Sequence, residues 1–185
     1  MVRYRKITRL ADFDYGTNGA YFVTMCAQFR RSLFGEVRDG SVIQTPLGRI
    51  VESEWNELPR HYDHAVCDVS VVMPNHFHGV LFLLRSGDAA NGATTSDAHT
   101  ASCVTTRSFG RVAAGSVSSV IRSFKAGVTR RARAELGIIE QIWQPNFYEH
   151  VIRNDEDLYN IRKYIQENPL KWELDKENPT NLRDL

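Results

Sequence analysis

Two apolar runs in the middle of the chain flank a short polar turn, and this pattern predicts a β-hairpin. The first run ends at Met73, the second begins at Val80, and Pro74-Asn75 interrupts them. Pro-Asn between two β-rich runs is a turn signal. Because side chains alternate in direction along a strand, we expect His76 and His78 to lie side by side on one face of the outgoing strand.

Further strands are predicted where aromatic and β-branched residues cluster, at 20–26, at 66–73 before the turn, and after Pro145. Residues 33–40 are looser and rich in glycine, and they predict a loop or a short hairpin.

Apolar residues at helical spacing predict two long helices. The first has Thr45 as its N-cap and Pro46 at its first position, and Pro59 is expected to close it. The second spans residues 116–136 and ends at Gly137.

A shorter helix is predicted near the end of the chain. Asn154 is a suitable N-cap, and Asp157 three residues later completes a start that resembles a capping box. The helix runs to about Asn168, where Pro169 stops it. Asn168 is expected at a frayed end, because the residue before a proline is disfavoured in the α region. The expected buried stripe consists of Leu158, Ile161 and Ile165.

Together these elements predict an α+β protein. The order β-α-β-β-α-β with a terminal helix is that of a ferredoxin-like (split βαβ) sandwich with an antiparallel sheet. At 185 residues the chain fits a single domain covering 1–185. Within it, residues 85–106 are small, polar and without periodicity, and they predict a mobile loop.

Composition narrows the class of protein without indicating a function. With 42% hydrophobic and 24% charged residues the chain is typical of a soluble globular domain, and its formal charge of +1 gives no global basic field. Three widely spaced cysteines without a CxxC pair favour a reducing, cytoplasmic setting and exclude a zinc knuckle. No segment reaches the length needed to span a bilayer, so no membrane partner is expected.

Charge is distributed unevenly along the second long helix. Six basic residues and no acidic one lie from Arg111 to Arg133. A solvated helix face is the usual explanation of such a run, but the absence of acidic partners favours a surface that contacts a phosphate backbone. The candidates on this helix are Arg122, Lys125, Arg130 and Arg131.

Two pairs of side chains carry candidate chemistry. His76 and His78 make half of a metal site, although a capping histidine beside a half-buried one is the commoner arrangement. Tyr164 and Asn168 are spaced i, i+4 on the last helix, at the rim of its apolar stripe, where the tyrosine hydroxyl can face a cleft. A surface tyrosine with its hydroxyl in solvent is the commoner outcome of such spacing.

Four sequence blocks, in this order, resemble the IS200-like single-tyrosine transposases and particularly their REP-associated branch, which are HUH endonucleases. The blocks are Met73-Pro74-Asn75-His76-Phe77-His78, Ile121-Arg122-Ser123-Phe124-Lys125, residues 143–154, and Tyr164-Ile165-Gln166-Glu167-Asn168-Pro169. The resemblance extends over about residues 20–172 and excludes the polar loop.

The resemblance implies a role for each matching residue. His76 and His78 would bind a divalent cation, Mg²⁺ or Mn²⁺. Tyr164 would be the nucleophile, and Asn168 would complete the metal site one helical turn later.

The resemblance also implies the reaction. The enzyme would nick single-stranded or hairpin DNA and transfer the strand through a 5′-phosphotyrosine intermediate with a free 3′-OH, as in DNA transposition. Arg122 and Lys125 match the family's basic helix and would hold the DNA backbone. The sequence is compatible with a monomer and with a homodimer.

Other functions are compatible with parts of this pattern. A histidine-triad nucleotide hydrolase also uses alternating histidines on a strand, but it requires a third histidine where Val80 stands. A catalytically inactive, ferredoxin-like nucleic-acid-binding module fits the same fold. Tyr148 and Tyr159 are rival nucleophiles, and His150 can form a structural hydrogen bond or contact metal or DNA.

Overall fold

The computed structural model describes residues 19–84, 115–175 and 178. In chain order its elements are β1 (Gly19–Cys26), β2 (Gly35–Arg38), β3 (Ser41–Gln44), α1 (Pro46–His61), β4 (Ala65–Val72), β5 (His76–Leu83), α2 (Val117–Leu136), β6 (Tyr148–Ile152) and α3 (Asp155–Glu167). Short 3₁₀ helices occupy Gln28–Arg30 and Pro169–Leu174. The loop predicted at 85–106 and the basic residue Arg111 lie outside the described residues.

Four strands form one antiparallel sheet in the order β4-β5-β1-β6, which confirms the predicted α+β fold class. Because β5 lies between β1 and β4, the unit β1-α1-β4 is a split βαβ unit of the ferredoxin-like kind. The segment predicted as a loop or short hairpin is a separate hairpin of β2 and β3 that continues to Gln44.

The two faces of the sheet are covered by different helices. On one face, α1 and α2 pack over β1 and β5 and form the main core. The largest buried side chains of that core include Trp55, Tyr21, Phe34, Phe77 and Phe124. On the other face, α3 packs through a smaller cluster around Val80, Ile152 and Ile165. Among the described residues no helix is long and apolar enough to cross a membrane.

Each of the helices α1, α2 and α3 begins at a side-chain cap. Thr45, Ser116 and Asn154 each accept a hydrogen bond from the backbone N–H three residues later. Gly137 ends α2 with a φ of 67°, in the left-handed region that glycine adopts at low cost. These helix boundaries confirm the signals read from the sequence.

Pro59 does not close α1, contrary to the expectation from the sequence, because the helix continues to His61. A proline at position 59 removes the N–H that would reach the Trp55 carbonyl four residues earlier. The thiol of Cys67 on β4 donates to that carbonyl at 3.3 Å. Burial raises the pKa of Cys67 to about 12, so it remains a protonated donor. The sheet thus replaces the hydrogen bond that the proline removes.

The expected frayed end at Asn168 is also wrong. Its φ and ψ are −57° and −43°, inside the α region, and the chain continues into the 3₁₀ helix Pro169–Leu174. A proline is tolerated at the first position of a helix because the N–H it lacks has no partner there. Asn168 is therefore held in place, and only 2% of it is exposed.

Gly79 lets α1 approach the histidine-bearing strand closely. A Cβ at this position would lie 2.6 Å from Trp55 Cζ2 and 2.8 Å from Phe77 Cε1. Both rings are completely buried and have no free space to move into. We expect Gly79→Ala to lower the free energy of unfolding by about 1–3 kcal/mol through overpacking, as measured by urea denaturation. A midpoint equal to that of the wild type would contradict this close contact.

Candidate active site

The paired histidines lie where the end of β1 meets the start of β5. In the register of these strands His78 is opposite Thr24, and His76 is opposite Cys26. The two imidazole ring centroids are 4.5 Å apart. His78 contacts Tyr164 of α3, so both histidines lie on the sheet face that α3 covers. The arrangement predicted from the His-x-His spacing is present.

His76 is completely buried, and its ring is oriented for binding through one nitrogen. Its Nδ1 lies 2.8 Å from Asn75 Oδ1, an acceptor, so Nδ1 carries the proton. Nε2 keeps its lone pair and has no hydrogen-bond partner among the described residues. Burial lowers the pKa of His76 to about 4, while Asp175 raises it and Arg30 lowers it to a smaller extent. The ring is therefore neutral at neutral pH.

His78 is oriented in a similar way by other partners. Its Nδ1 lies 2.8 Å from Thr24 Oγ1, and its ring stacks on Phe22 with a centroid distance of 5.3 Å. Its Nε2 faces α3, where the Tyr164 hydroxyl is 3.4 Å away. Thr24 and Asn75 thus hold both imidazoles by Nδ1, and the Nε2 atoms face the candidate site.

The helix α3 brings Tyr164 and Asn168 to this face. Tyr164 is 41% exposed, whereas Asn168, one turn later, is buried. Along the chain Asn168 lies between Tyr164, which contacts His78, and Trp172, whose ring centroid is 6.0 Å from that of His76. Its Oδ1 is buried and has no hydrogen-bond partner within the part of the chain that the structure describes.

Few contacts hold α3 on the sheet. Ile165 is the buried side chain of this helix. The partly buried members of the predicted stripe are Leu158 and Ile161. Arg162 Nε lies 2.6 Å from Asp68 Oδ2 of β4. Asp157 Oδ2 lies 2.9 Å from His150 Nε2 of β6. The Asp157 side chain therefore contacts β6 and does not complete the predicted capping box. The helix that carries Tyr164 is thus held by polar contacts with β4, β5 and β6 and by a small apolar cluster.

The site offers buried lone pairs that a cation could use. His76 Nε2 and Asn168 Oδ1 are acceptors that no donor reaches among the described residues, and leaving such an atom unsatisfied costs about 1–3 kcal/mol. A divalent ion held by His76, His78 and Asn168 could satisfy both. Imidazoles alone suit zinc better than magnesium, so Mg²⁺ or Mn²⁺ would also need the amide, water and phosphate oxygens. The described residues contain no group of three His, Cys, Asp or Glu side chains that could hold a metal, so this candidate set includes the amide of Asn168.

The sequence marks some of these neighbours and misses others. It identifies Asn75 as a turn residue but not as the partner of His76. Thr24 and Phe22 become neighbours of His78 only through the pairing of β1 with β5, which joins residues 54 positions apart. No local sequence signal could have found them.

The predicted DNA-binding residues lie on α2, across the sheet from Tyr164. Arg122 and Arg130 are exposed. Arg131 pairs with Glu54 of α1 at 3.3 Å, so the fold supplies an acidic partner that the basic segment lacks. Contact of these residues with DNA stays a prediction.

Lys125 points inward from the same helix. Its Nζ donates to the carbonyl oxygens of Gln144 and Asn146, each at 2.8 Å, and lies 5.9 Å from the Trp143 ring centroid. Burial lowers the pKa of Lys125 to about 8. Lys125 therefore ties α2 to the segment that leads into β6.

This buried lysine should make the stability of the protein rise with pH. The pKa of Lys125 is about 8 in the folded chain, compared with its ordinary value of 10.5. Between these two pH values the unfolded state therefore binds more protons than the folded state. The contribution of Lys125 to the free energy of unfolding then increases with pH in that window. Because the raised pKa of Cys67 acts in the opposite direction above its ordinary value of 9.0, the net increase is expected between about pH 8 and 9. Lys125→Met should remove the increase, whereas Arg122→Met, on the exposed side of α2, should keep it. Urea denaturation below and within the window measures both, and equal slopes in all three proteins would refute the prediction.

The other candidates take different positions. Tyr148 on β6 is 47% exposed and Tyr159 on α3 is 65% exposed, whereas Tyr164 is the tyrosine whose hydroxyl contacts His78. His150 forms the structural hydrogen bond to Asp157.

Comparisons with known proteins agree with this architecture. No family model matches the chain. A solved structure of a REP-associated tyrosine transposase bound to a REP hairpin matches 95% of this chain and 77% of its own, with a TM-score of 0.56 and 24% identity. The chain has the fold of a REP-associated tyrosine transposase, so the resemblance indicated by its sequence blocks is confirmed at the level of the fold. An uncharacterized protein of Haemophilus influenzae is 31% identical over 175 residues, which cover 95% of this chain and 93% of that protein, and the chain belongs to its family.

Proposed function

We propose that this protein nicks single-stranded or hairpin DNA and transfers the cut strand, with Tyr164 as the nucleophile and a divalent cation as cofactor. One observation carries the proposal: the Tyr164 hydroxyl lies 3.4 Å from His78 Nε2. Beside it is His76, whose buried Nε2 has no hydrogen-bond partner among the described residues. The likeness in fold to a transposase bound to a REP hairpin supports DNA as the substrate.

The cation, Mg²⁺ or Mn²⁺, would be held by His76, His78 and Asn168. When bound, such an ion neutralises charge on a nonbridging phosphate oxygen and orients the phosphorus for in-line attack. The chain contributes two imidazoles of fixed orientation. Asn75 and Thr24 fix the orientation of the two rings by hydrogen bonding to their Nδ1 atoms.

The step at Tyr164 is a transesterification. The phenol oxygen forms a bond to phosphorus, and the bond from phosphorus to the 3′ oxygen breaks. The phenol loses its proton to water, which reaches this partly exposed side chain, and the departing 3′ oxygen takes up a proton. A free phenol ionises only near pH ~10, so attack at neutral pH requires positive charge nearby. Because the phosphodiester is exchanged and not hydrolysed, a 3′-OH can reverse the step and join strands.

The DNA backbone away from the cut would be held by the exposed cations of α2, Arg122 and Arg130. Lys125 and Arg131 already have partners within the protein, and their contribution to DNA binding would be the smaller one.

Covalent trapping tests the proposal. The protein is incubated with Mn²⁺ and hairpin oligonucleotides that carry single-stranded flanks, and SDS-stable adducts are separated by electrophoresis. A 5′-phosphotyrosine keeps a label at the 3′ end of the oligonucleotide with the protein and releases a label at the 5′ end. We expect adducts of this polarity that EDTA abolishes. DNA binding without any adduct would instead indicate a nucleic-acid-binding module and overturn the proposal.

A further inference from the structure

Tyr148 shares a row of the sheet with the candidate site, although it takes no part in the proposed step. Thr24 of β1 is opposite His78 of β5 on one side and opposite Tyr148 of β6 on the other. Residues opposite one another in register point to the same face, so the three side chains form a row across the sheet. Strands are spaced about 4.8 Å apart, which places Tyr148 about 10 Å from His78 along this row.

The ring of Tyr148 contacts one aromatic neighbour and remains nearly half exposed. It meets the Phe22 ring edge-on with a centroid distance of 6.4 Å. Phe22 in turn stacks on His78 at 5.3 Å and meets Tyr164 edge-on at 6.1 Å. The side chain of Tyr148 is still nearly half exposed. Phe22 therefore contacts the exposed ring of Tyr148 and also both His78 and Tyr164 of the candidate site.

Neither the fold nor the cleavage step accounts for this exposed ring. On the same face of β6, Ile152 makes the buried contact. The hydroxyl of Tyr164 takes the position beside His78. Tyr148 on β6 is two strand spacings away from His78 on β5. The exposed ring therefore lies beside the position proposed for the phosphate and not on it.

We propose that Tyr148 is a stacking subsite for the nucleobase next to the cleaved phosphodiester in an unpaired strand. The base lies on the exposed face of the ring while the phosphate lies at His78 and Tyr164. Every base has a π-face, so such a subsite positions a strand without reading its sequence. The inference rests on the proposed function, since it assumes that the site beside Tyr164 receives a nucleic-acid strand.

Binding of a labelled hairpin oligonucleotide with single-stranded flanks, followed by fluorescence anisotropy, tests the subsite. All variants are made in a Tyr164→Phe background, so that binding is measured without cutting. Tyr148→Leu keeps apolar packing on Phe22 but removes the ring, and we expect it to bind about 5- to 100-fold more weakly. Tyr148→Phe and Tyr148→Trp should bind as the parent does. Tyr159→Leu, which removes an exposed tyrosine from α3, is the matched control and should also leave binding unchanged.

An abasic scan identifies the base. Oligonucleotides that each lack one base are compared on the parent and on the Tyr148→Leu protein. If the ring stacks on one base, removing that base weakens binding to the parent but hardly changes binding to the variant, because both changes delete the same contact. We expect one such position, next to the phosphate to which Tyr164 becomes attached.

The outcomes separate this inference from the proposed function. If Tyr148→Leu binds as tightly as the parent, or if Tyr148→Phe is as weak as Tyr148→Leu, the stacking subsite is wrong even where Tyr164 forms adducts. A weak Tyr148→Phe would assign the effect to the hydroxyl. If Tyr148→Leu weakens binding and no adduct forms in the wild type, the cleavage proposal fails and the stacking surface stands.

Discussion

Tyr164→Phe should abolish the covalent protein–DNA adduct while leaving DNA binding intact. The substitution removes one oxygen atom, which is the atom proposed to bond to phosphorus. Adduct formation should fall by at least about 10³-fold, because no neighbouring group replaces a lost covalent nucleophile. Gel separation of SDS-stable adducts measures the loss, and anisotropy with the same oligonucleotide measures binding.

Two other tyrosines provide controls for this experiment. Tyr148→Phe and Tyr159→Phe each remove one hydroxyl from a side chain that solvent reaches, and both should form the adduct at the wild-type rate. Adducts that persist in Tyr164→Phe and vanish in Tyr148→Phe would move the nucleophile from α3 to β6.

His76→Ala should eliminate binding of Mn²⁺, with little change in DNA binding measured without metal. The buried Nε2 of His76 is one of the proposed ligand atoms, and its removal should lower the affinity for Mn²⁺ by more than about 100-fold. Replacing a group that only orients a ligand costs less, about 10- to 100-fold. Isothermal titration calorimetry of the DNA-free protein with Mn²⁺ measures both kinds of loss.

Thr24→Val gives the graded comparison. Valine has nearly the shape of threonine but lacks the hydroxyl that lies 2.8 Å from His78 Nδ1. The Mn²⁺ affinity of the Thr24→Val protein should therefore fall between those of the wild type and His76→Ala. His76→Gln, which keeps most of the side-chain volume, separates loss of the ligand from the effect of a cavity. Equal Mn²⁺ affinity in all four proteins would show that these imidazoles do not hold the ion.

Much of the backbone could be predicted because its signals are local. The turn at Pro74-Asn75 and the caps at Thr45 and Asn154 each depend on residues within a few positions, and each acts as expected. Pro59 shows where such rules fail. Its cost to the helix is offset by the Cys67 thiol from another element, and no local pattern records that contact.

The candidate site was predictable in its members and not in their surroundings. Spacing and resemblance single out His78 and Tyr164, which are 86 positions apart and meet in the fold. The role of Lys125 could not be read in this way, because its run of basic neighbours indicates an outward face. The carbonyls of residues 144 and 146, which it contacts, approach it only through tertiary packing.

The attachment of α3 bears on how ionic strength affects this protein. The contact of Arg162 with Asp68 is partly exposed, and screening shortens the reach of such charges from about 8 Å at physiological salt to about 3 Å at 1 M. The apolar layer beneath α1 and α2 does not weaken in this way. Concentrated salt should therefore weaken this polar attachment while the apolar contacts of α3 around Ile165 remain, so amide hydrogen exchange should quicken in α3 at salt levels where circular dichroism still reports an intact protein.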